Sequence, residues 1–429
     1  MQCDAFGSHS SPGIPVVVRR HVEEAATRWW RRDSAYIDNS RTRFQILLQY
    51  DETIDAHLDG VLVAEQLGLD LIERALAVNA PDVSAEIFVA LAIAYLRADD
   101  ELIATMATKV ANLAGAAWAY EGVFGWFATP HVSEALEAQL ASTNSRYRDA
   151  ALAQCHIHGL TGGAHLLAIL DGPSQDLVSR ALRTAGECGR IDLIPTVLRW
   201  LEPSRESTPA IRFWAAWAAT LLGGLNDVVA DELRSIVDHG GSNQSAALRL
   251  LCLFLPRPQL LTYLQMLSQS AMAPTLVIYA IGWSGDPGFA PWLLEQMRIP
   301  PLAATAAEAF RLITGFDCDS DEGDAIKERP YDLPAPKAGE AEYPYPDVGK
   351  VSSWWNAYAA HFNGAPRLFL GSPLSFDLLA EVFKRGEQAH REIAALYWVL
   401  LRPGSMILPT RAHSAIQWKR LLQLKEISS

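Results

Sequence analysis

From Gly159 to Gly315 a helix-breaking residue returns about every thirty positions: Gly159, Gly189, Gly223, Pro256, Gly285 and Gly315. The successive spacings are 30, 34, 33, 29 and 30 residues. Each interval holds an apolar stretch, a break and a second apolar stretch. Thus Arg180–Gly189 is followed by Ile191–Leu201, and Leu276–Gly285 by Phe289–Met297, with Pro195 and Pro291 at equivalent places. Self-similarity at this period marks stacked helical repeats, in which no unit can bury its apolar face alone. A chain with this pattern is expected to be an all-α solenoid, and a solenoid works by offering a long surface to a partner.

A single compact core does not grow to 429 residues, but a repeat array adds units without that limit. Half the residues are hydrophobic, so the chain folds. The 49 acidic residues outnumber the 36 basic ones, giving a formal net charge of −13. That balance opposes general binding to nucleic acid or anionic membrane and favours a basic partner, although solubility alone would also account for it. The cysteines Cys3, Cys155, Cys188, Cys252 and Cys318 are odd in number and never spaced C-x-x-C. No disulfide framework or zinc site is implied, and a reducing compartment is expected. The first ten residues lack the basic and apolar regions of a signal peptide. The longest apolar runs, such as Ile87–Leu96, fall short of the roughly 20 residues of a membrane span. The expected location is the cytoplasm.

Residues 1–13 are expected to be a frayed start, and 14–80 a helical N-terminal cap outside the repeat register. Repeats fill 81–316, with helix pairs over 81–112, 114–143, 145–173, 175–204, 207–240, 243–270 and 272–300 and a last helix at 302–314. Residues 317–350 turn acidic and then Pro-rich (Pro330, Pro334, Pro336, Pro344, Pro346), which predicts an extended linker. A C-terminal helical region over 351–429 follows, with helices at Ser353–Phe362, Ser375–Arg385, Glu387–Leu401 and Arg411–Leu424. Strand signals are absent.

These repeats resemble short HEAT-like repeats of the phycobilisome-lyase type. More specifically, the chain resembles a proteobacterial family of HEAT-like repeat proteins over roughly residues 14–425. The matching segments are Ile14–Ala26, Asp55–Gly60, Ala309–Asp317, Trp354-Trp355, Arg367–Gly371 and Glu392–Gly404. They are fold signatures without a catalytic pattern. Genes of such proteins are often neighbours of type VI secretion components and effectors. The resemblance therefore implies an adaptor, chaperone or immunity role, and a bilin-lyase activity only by analogy of fold.

Four groups of residues bear on chemistry. Asp317-x-Asp319-x-Asp321, with Glu328 at position 12, has part of the oxygen spacing of a calcium loop. Glu322 stands where the turn needs glycine, however, and an acidic solvated linker is the favoured reading. Cys155, His156, His158 and His165 invite a metal reading, but His156 and His158 point to different helix faces and a packed repeat corner is favoured. The seven arginines Arg19, Arg20, Arg28, Arg31, Arg32, Arg41 and Arg43 are interleaved with Trp29, Trp30 and Tyr36. Glu23, Glu24, Asp33 and Asp38 dilute them, so internal ion pairs or an acidic partner fit better than nucleic acid. Thirteen tryptophans are many for this length, and most should fill gaps between helices.

Nucleophile elbow, P-loop, dinucleotide and zincin motifs are missing from the sequence, so no catalytic residue, cofactor or metal is assigned. The partner-binding residues expected are Trp200, Asp231, Arg234, Trp292 and Glu295, on second helices that would line the concave face. The leading expectation is a non-enzymatic scaffold or adaptor gripping another protein, with a basic secreted effector or toxin as candidate. An immunity protein for a co-encoded toxin is the alternative, and a small-molecule or pigment lyase a further one.

Overall fold

The glycine breaks set the helix boundaries. Gly159, Gly189, Gly223, Gly285 and Gly315 all take a left-handed backbone, with φ between 63° and 81°, where a side chain would be strained. The computed structural model describes residues 13–38, 41–78, 82–113, 115–128, 130–270, 272–319, 325–330, 333 and 343–428. Cys3 and most of the expected frayed start therefore lie outside the described residues, as do Pro81, Asp321–Asp324, Pro334 and Pro336. Among the described residues the chain is almost wholly helical, and no helix is long and apolar enough to cross a membrane.

Contacts divide the chain into two compact units. The described residues of Met1–Tyr36, Phe44–His158 and Arg411–Arg420 form one, and those of Ile37–Arg43, Gly159–Thr410 and Leu421–Ser429 the other. The first unit contains α1 (Pro15–Asp38, up to Tyr36), α2 (Phe44–Val63), α3 (Glu65–Leu76), α4 (Ser84–Arg97), α5 (Asp100–Val110), α6 (Ala116–Trp126), α7 (Pro130–Leu140) and α8 (Ser145–His158). Helix α4 packs on α2, α6 on α4 and α8 on α6, while α5 and α7 flank the row. Helix α4 is buried without a break from Ile87 to Tyr95, none of them more than 5% exposed. A helix apolar all round belongs between others, and each large side chain buried there stabilises by roughly 1.5–3 kcal/mol. Trp29 of α1 completes this core by stacking on Phe88, ring centroids 4.6 Å apart.

The second unit continues with α9 (Gly163–Leu170), α10 (Gln175–Glu187), α11 (Ile194–Leu198), α12 (Pro209–Leu221), α13 (Asp227–His239), α14 (Gln244–Phe254), α15 (Arg257–Ser268), α16 (Pro274–Ser284), α17 (Ala290–Gln296) and α18 (Ala303–Thr314). The first helices of successive pairs, α10, α12, α14, α16 and α18, pack each on the next. The second elements differ more. Around α11 and α17 they are short pieces preceded by 3₁₀ turns, with Pro195 and Pro291 fixing the first α-helical turn in both.

The remainder is α19 (Val348–Tyr358), β1 (Leu368–Phe369), β2 (Ser372–Pro373), α20 (Phe376–Arg385), α21 (Gln388–Leu401) and α22 (Ser414–Ser428). Three boundaries depart from the sequence expectation. Helix α19 starts at Val348 because the Asp347 carboxylate accepts from the N–H groups of Gly349 and Lys350. Helix α22 starts at Ser414, whose N–H donates 2.6 Å to Asp51 of α2, so a side chain far along the chain caps it. The unexpected strands pair antiparallel, Leu368 opposite Pro373 and Phe369 opposite Ser372. Two residues per strand are too few to leave a periodic signal.

Within the second unit the C-terminal stretch lies against the ends of the first helices, at the glycine breaks. The Leu368 N–H donates to Gly285 O, Leu370 N–H to Leu312 O, Gly371 N–H to Ile313 O and Ile407 N–H to Glu187 O, at 2.7–3.1 Å. Helix ends leave carbonyls without intrahelical partners, and these bonds satisfy several of them. Arg367 adds donors to the carbonyls of Leu253 and Leu255. The described parts of 317–350 are also tied down: Ile326 bridges Pro346, and Asp347 N–H donates to Ala325 O.

Candidate functional site

Exposed apolar side chains are unevenly shared in the repeats of the second unit. None of α10, α12, α14, α16 and α18 carries a large one. The second elements each do: Leu167 on α9, Ile191 before α11, Val228 on α13, Met266 on α15 and Trp292 on α17, from 37% to 58% exposed. The first helices spend their apolar residues on neighbours in front and behind, whereas a second element has a free side.

Four of the five expected partner-binding residues are on this accessible side. Asp231 and Arg234 share one face of α13 and pair at 2.6 Å, the aspartate 71% exposed. Glu295, one turn beyond the 37%-exposed Trp292 on α17, pairs with Arg298 at 3.3 Å. Such exposed pairs contribute at most about 1 kcal/mol to stability, so their charges remain usable by a partner. Trp200 corrects the expectation. It is 5% exposed, with the Arg205 guanidinium 3.4 Å from its ring centroid. The chain is 3₁₀ at Arg199–Leu201, and the tighter winding breaks the α-helical phase that placed Trp200 outward.

The acidic motif is spoken for by arginine. Asp317 lies 2.9 Å from Arg311 and 3.9 Å from Arg43, and Asp319 lies 3.5 Å from Arg41. Arg311 also forks onto both oxygens of Glu387 at 2.9 and 3.0 Å, and His390 donates 2.7 Å to Glu308. Burial works against the Arg311 charge, but Glu308, Glu387 and Asp317 outweigh it and hold its pKa above the usual value. Burial, reinforced by Asp317, pushes the Cys318 thiol up to about 12. Arg41, Glu308, Arg311, Asp317 and Cys318 line a cleft of about 230 Å³ open to solvent, together with Tyr343 and Pro344. Its charges are matched within the protein, and a thiol so raised is no nucleophile at neutral pH. The arrangement chemically suits a lock joining α18, α21 and residues 41–43, where Gln388 N–H also donates to Thr42 O.

The histidines near Cys155 are likewise held apart. His158 donates 2.7 Å to Phe124 O and burial lowers its pKa, partly offset by that bond. His165 stands exposed in the other unit, and Cys155 donates to Ala151 O. Among the described residues no three His, Cys, Asp or Glu converge as metal ligands.

Sequence reasoning missed the buried ion pair of the first unit. Arg32 and Asp51 are 3% and 0% exposed; Arg32 donates to the carbonyls of Arg411 (3.0 Å) and Ala412 (2.9 Å) and lies over the Trp126 ring. Beside it His413 donates 3.1 Å to Asp55, which also accepts from Trp126. Arg32 and Asp51 stand 19 residues apart on different helices and the carbonyls of Arg411 and Ala412 far along the chain, so no periodic spacing marks them; only the clustering of arginine and tryptophan at 28–32 hints at the pair. No family model, curated protein or solved structure matches this chain.

Proposed function

We propose that the chain is an α-solenoid of short HEAT-like repeats acting as a non-catalytic scaffold or adaptor for another protein. The observation that carries this reading is the recurrence of one exposed apolar residue on each second element from α9 to α17, against none on the first helices. Apolar anchors beside exposed charges such as Asp231, Arg234 and Glu295 are what a protein interface uses. The neighbour-to-neighbour packing of α10, α12, α14, α16 and α18 supports the stacked arrangement. The formal charge of −13 favours a basic partner, such as a secreted effector or toxin. The family resemblance suggests type VI secretion as its setting.

Tagged full-length protein and a D231K/W292A variant, purified from the native host, test this reading. A partner retained by the first and lost by the second is expected. Equal recovery by both, or a partner held only at the Arg311 cleft, would refute it. A single stoichiometric toxin encoded nearby would specify immunity, and secretion components would specify an adaptor.

A further inference from the structure

Of the seven arginines in and after α1, most find acidic partners within the chain. Arg28 pairs with Glu24, Arg32 with Asp51, Arg41 with Asp319 and Glu387, and Arg43 with Asp317. Arg20 reaches Glu24 only at 4.0 Å, its side chain 79% exposed. Arg19 and Arg31 are exposed and make no ion pair among the described residues. At 100° per residue, Val16, Arg19, Arg20, Glu23, Thr27, Trp30 and Arg31 fall within about a third of the circumference of α1. The opposite side, Val18, Val22, Ala25, Trp29 and Arg32, is buried. Among the described side chains of the outward third, three cations stand with one carboxylate, Glu23. This outward face also exposes Val16 by 66% and Trp30 by 48%, and Val17, 47% exposed, lies beyond its edge next to Glu24. This face is built unlike the rest of an acidic chain.

We propose that the outer face of α1 is a docking surface for an acidic amphipathic helix of a partner protein, separate from the second-element surface. A valine and a tryptophan among the exposed guanidinium groups of Arg19, Arg20 and Arg31 match an apolar stripe flanked by carboxylates. A second copy of α1 is a poor occupant, because it would bring the same unpaired cations together. Extended polyanions are disfavoured as well. A short helix confined within about one Debye length, roughly 8–10 Å, senses the local cations, whereas a membrane or duplex meets the whole −13 chain.

The test uses the full chain and fluorescein-labelled peptides of about twenty residues, with leucines at helical spacing among glutamates, or among lysines as control. Anisotropy should show binding of the glutamate peptide and at least tenfold weaker binding of the lysine peptide. The R19E/R31E variant should lose at least tenfold in affinity, and Trp30→Ala several-fold. Both variants alter exposed side chains, and unchanged circular dichroism checks that they fold. Raising salt should weaken binding to the wild type. Equal binding of both peptides, no binding of either, or full retention by R19E/R31E would overturn the proposal. So would capture by phosphatidylserine vesicles that exceeds peptide binding and is lost in R19E/R31E, which would make the face a membrane contact.

Discussion

The two units fasten their C-terminal segments by different chemistry. In the first, side chains do it. Arg32 reaches the carbonyls of Arg411 and Ala412, Asp51 caps α22, and Arg420 reaches the carbonyls of His156 and Ile157. In the second, side-chain bonds such as Arg311–Glu387 and Arg367 to Leu255 O are joined by a series of main-chain bonds at the glycine breaks, as at Leu368–Gly285 and Gly371–Ile313. The first kind of fastening depends on charge and hence on pH. The main-chain bonds depend on the absence of a side chain.

Cutting the ion pair should show the contrast most strongly. Arg32→Ala leaves Asp51 charged and buried, which should cost about 3–5 kcal/mol, read as loss of hydrogen-exchange protection in α1, α2 and α22. Protection in α14 and α16 should change far less. A uniform loss in all helices would mean that the two fastenings are one.

Next in size is a methyl group at a break. A Cβ on Gly285 would sit 2.2 Å from Leu368 O, and on Gly315 2.6 Å from Leu370 O, both at positive φ. Gly285→Ala and Gly315→Ala should each destabilise by about 1–3 kcal/mol in denaturant titrations. At Gly163, which has positive φ but nothing within 4 Å, alanine should cost less, about 1 kcal/mol. Equal costs would show that conformation alone matters and that the close approach does not.

Acid should act on the first unit in two stages. Burial, with His21 and Arg28 nearby, lowers the His57 pKa, and burial lowers that of His158. Both are depressed, so their contribution is present above 6.5 and disappears as pH falls through the folded values. The Nδ1 atoms of His21 and His57 lie 2.9 Å apart, within hydrogen-bond distance. For Asp55 burial raises the pKa, but the hydrogen bond and charge of His413 and the Trp126 N–H outweigh it. The net shift is downward, so this contribution is present above 3.8 and lost in stronger acid. Exchange in α1, α2 and α8 measured against pH should follow these steps. A flat profile down to pH 4 would contradict the histidine stage.

The smallest effect is expected at the surface. Asp231→Ala removes an exposed partner of Arg234 and should change stability by no more than about 0.5 kcal/mol. Any large effect there would make it a structural residue and remove it from the binding surface.

Five of the six breaks are legible because a positive φ favours glycine, and Pro256, with φ −56°, because proline cannot continue a helix; the helix pairs between them are legible because burial on several sides leaves long apolar runs. The tryptophans were read partly well: Trp217 is buried against Trp214, while Trp354 and Trp355 are half-buried against Phe310 and Phe316. Main-chain pairing at Leu368–Gly371 was invisible, because a carbonyl and an N–H are the same in every residue. Trp200 misled because a 3₁₀ turn shifts the helical phase without changing composition. The Asp317 motif reads as an acidic solvated linker, whereas Arg311 of α18 and Arg41, in a turn far along the chain, pair with its aspartates.

Hydrogen exchange of the full chain, alone and bound to whatever protein co-purifies with it, tests the central claim most directly. Protection gained on α13, α15 and α17, and weakened by D231K/W292A, is the predicted result. Protection confined to the Arg311 cleft, or a footprint the variant leaves unchanged, would contradict a binding surface built from the second elements.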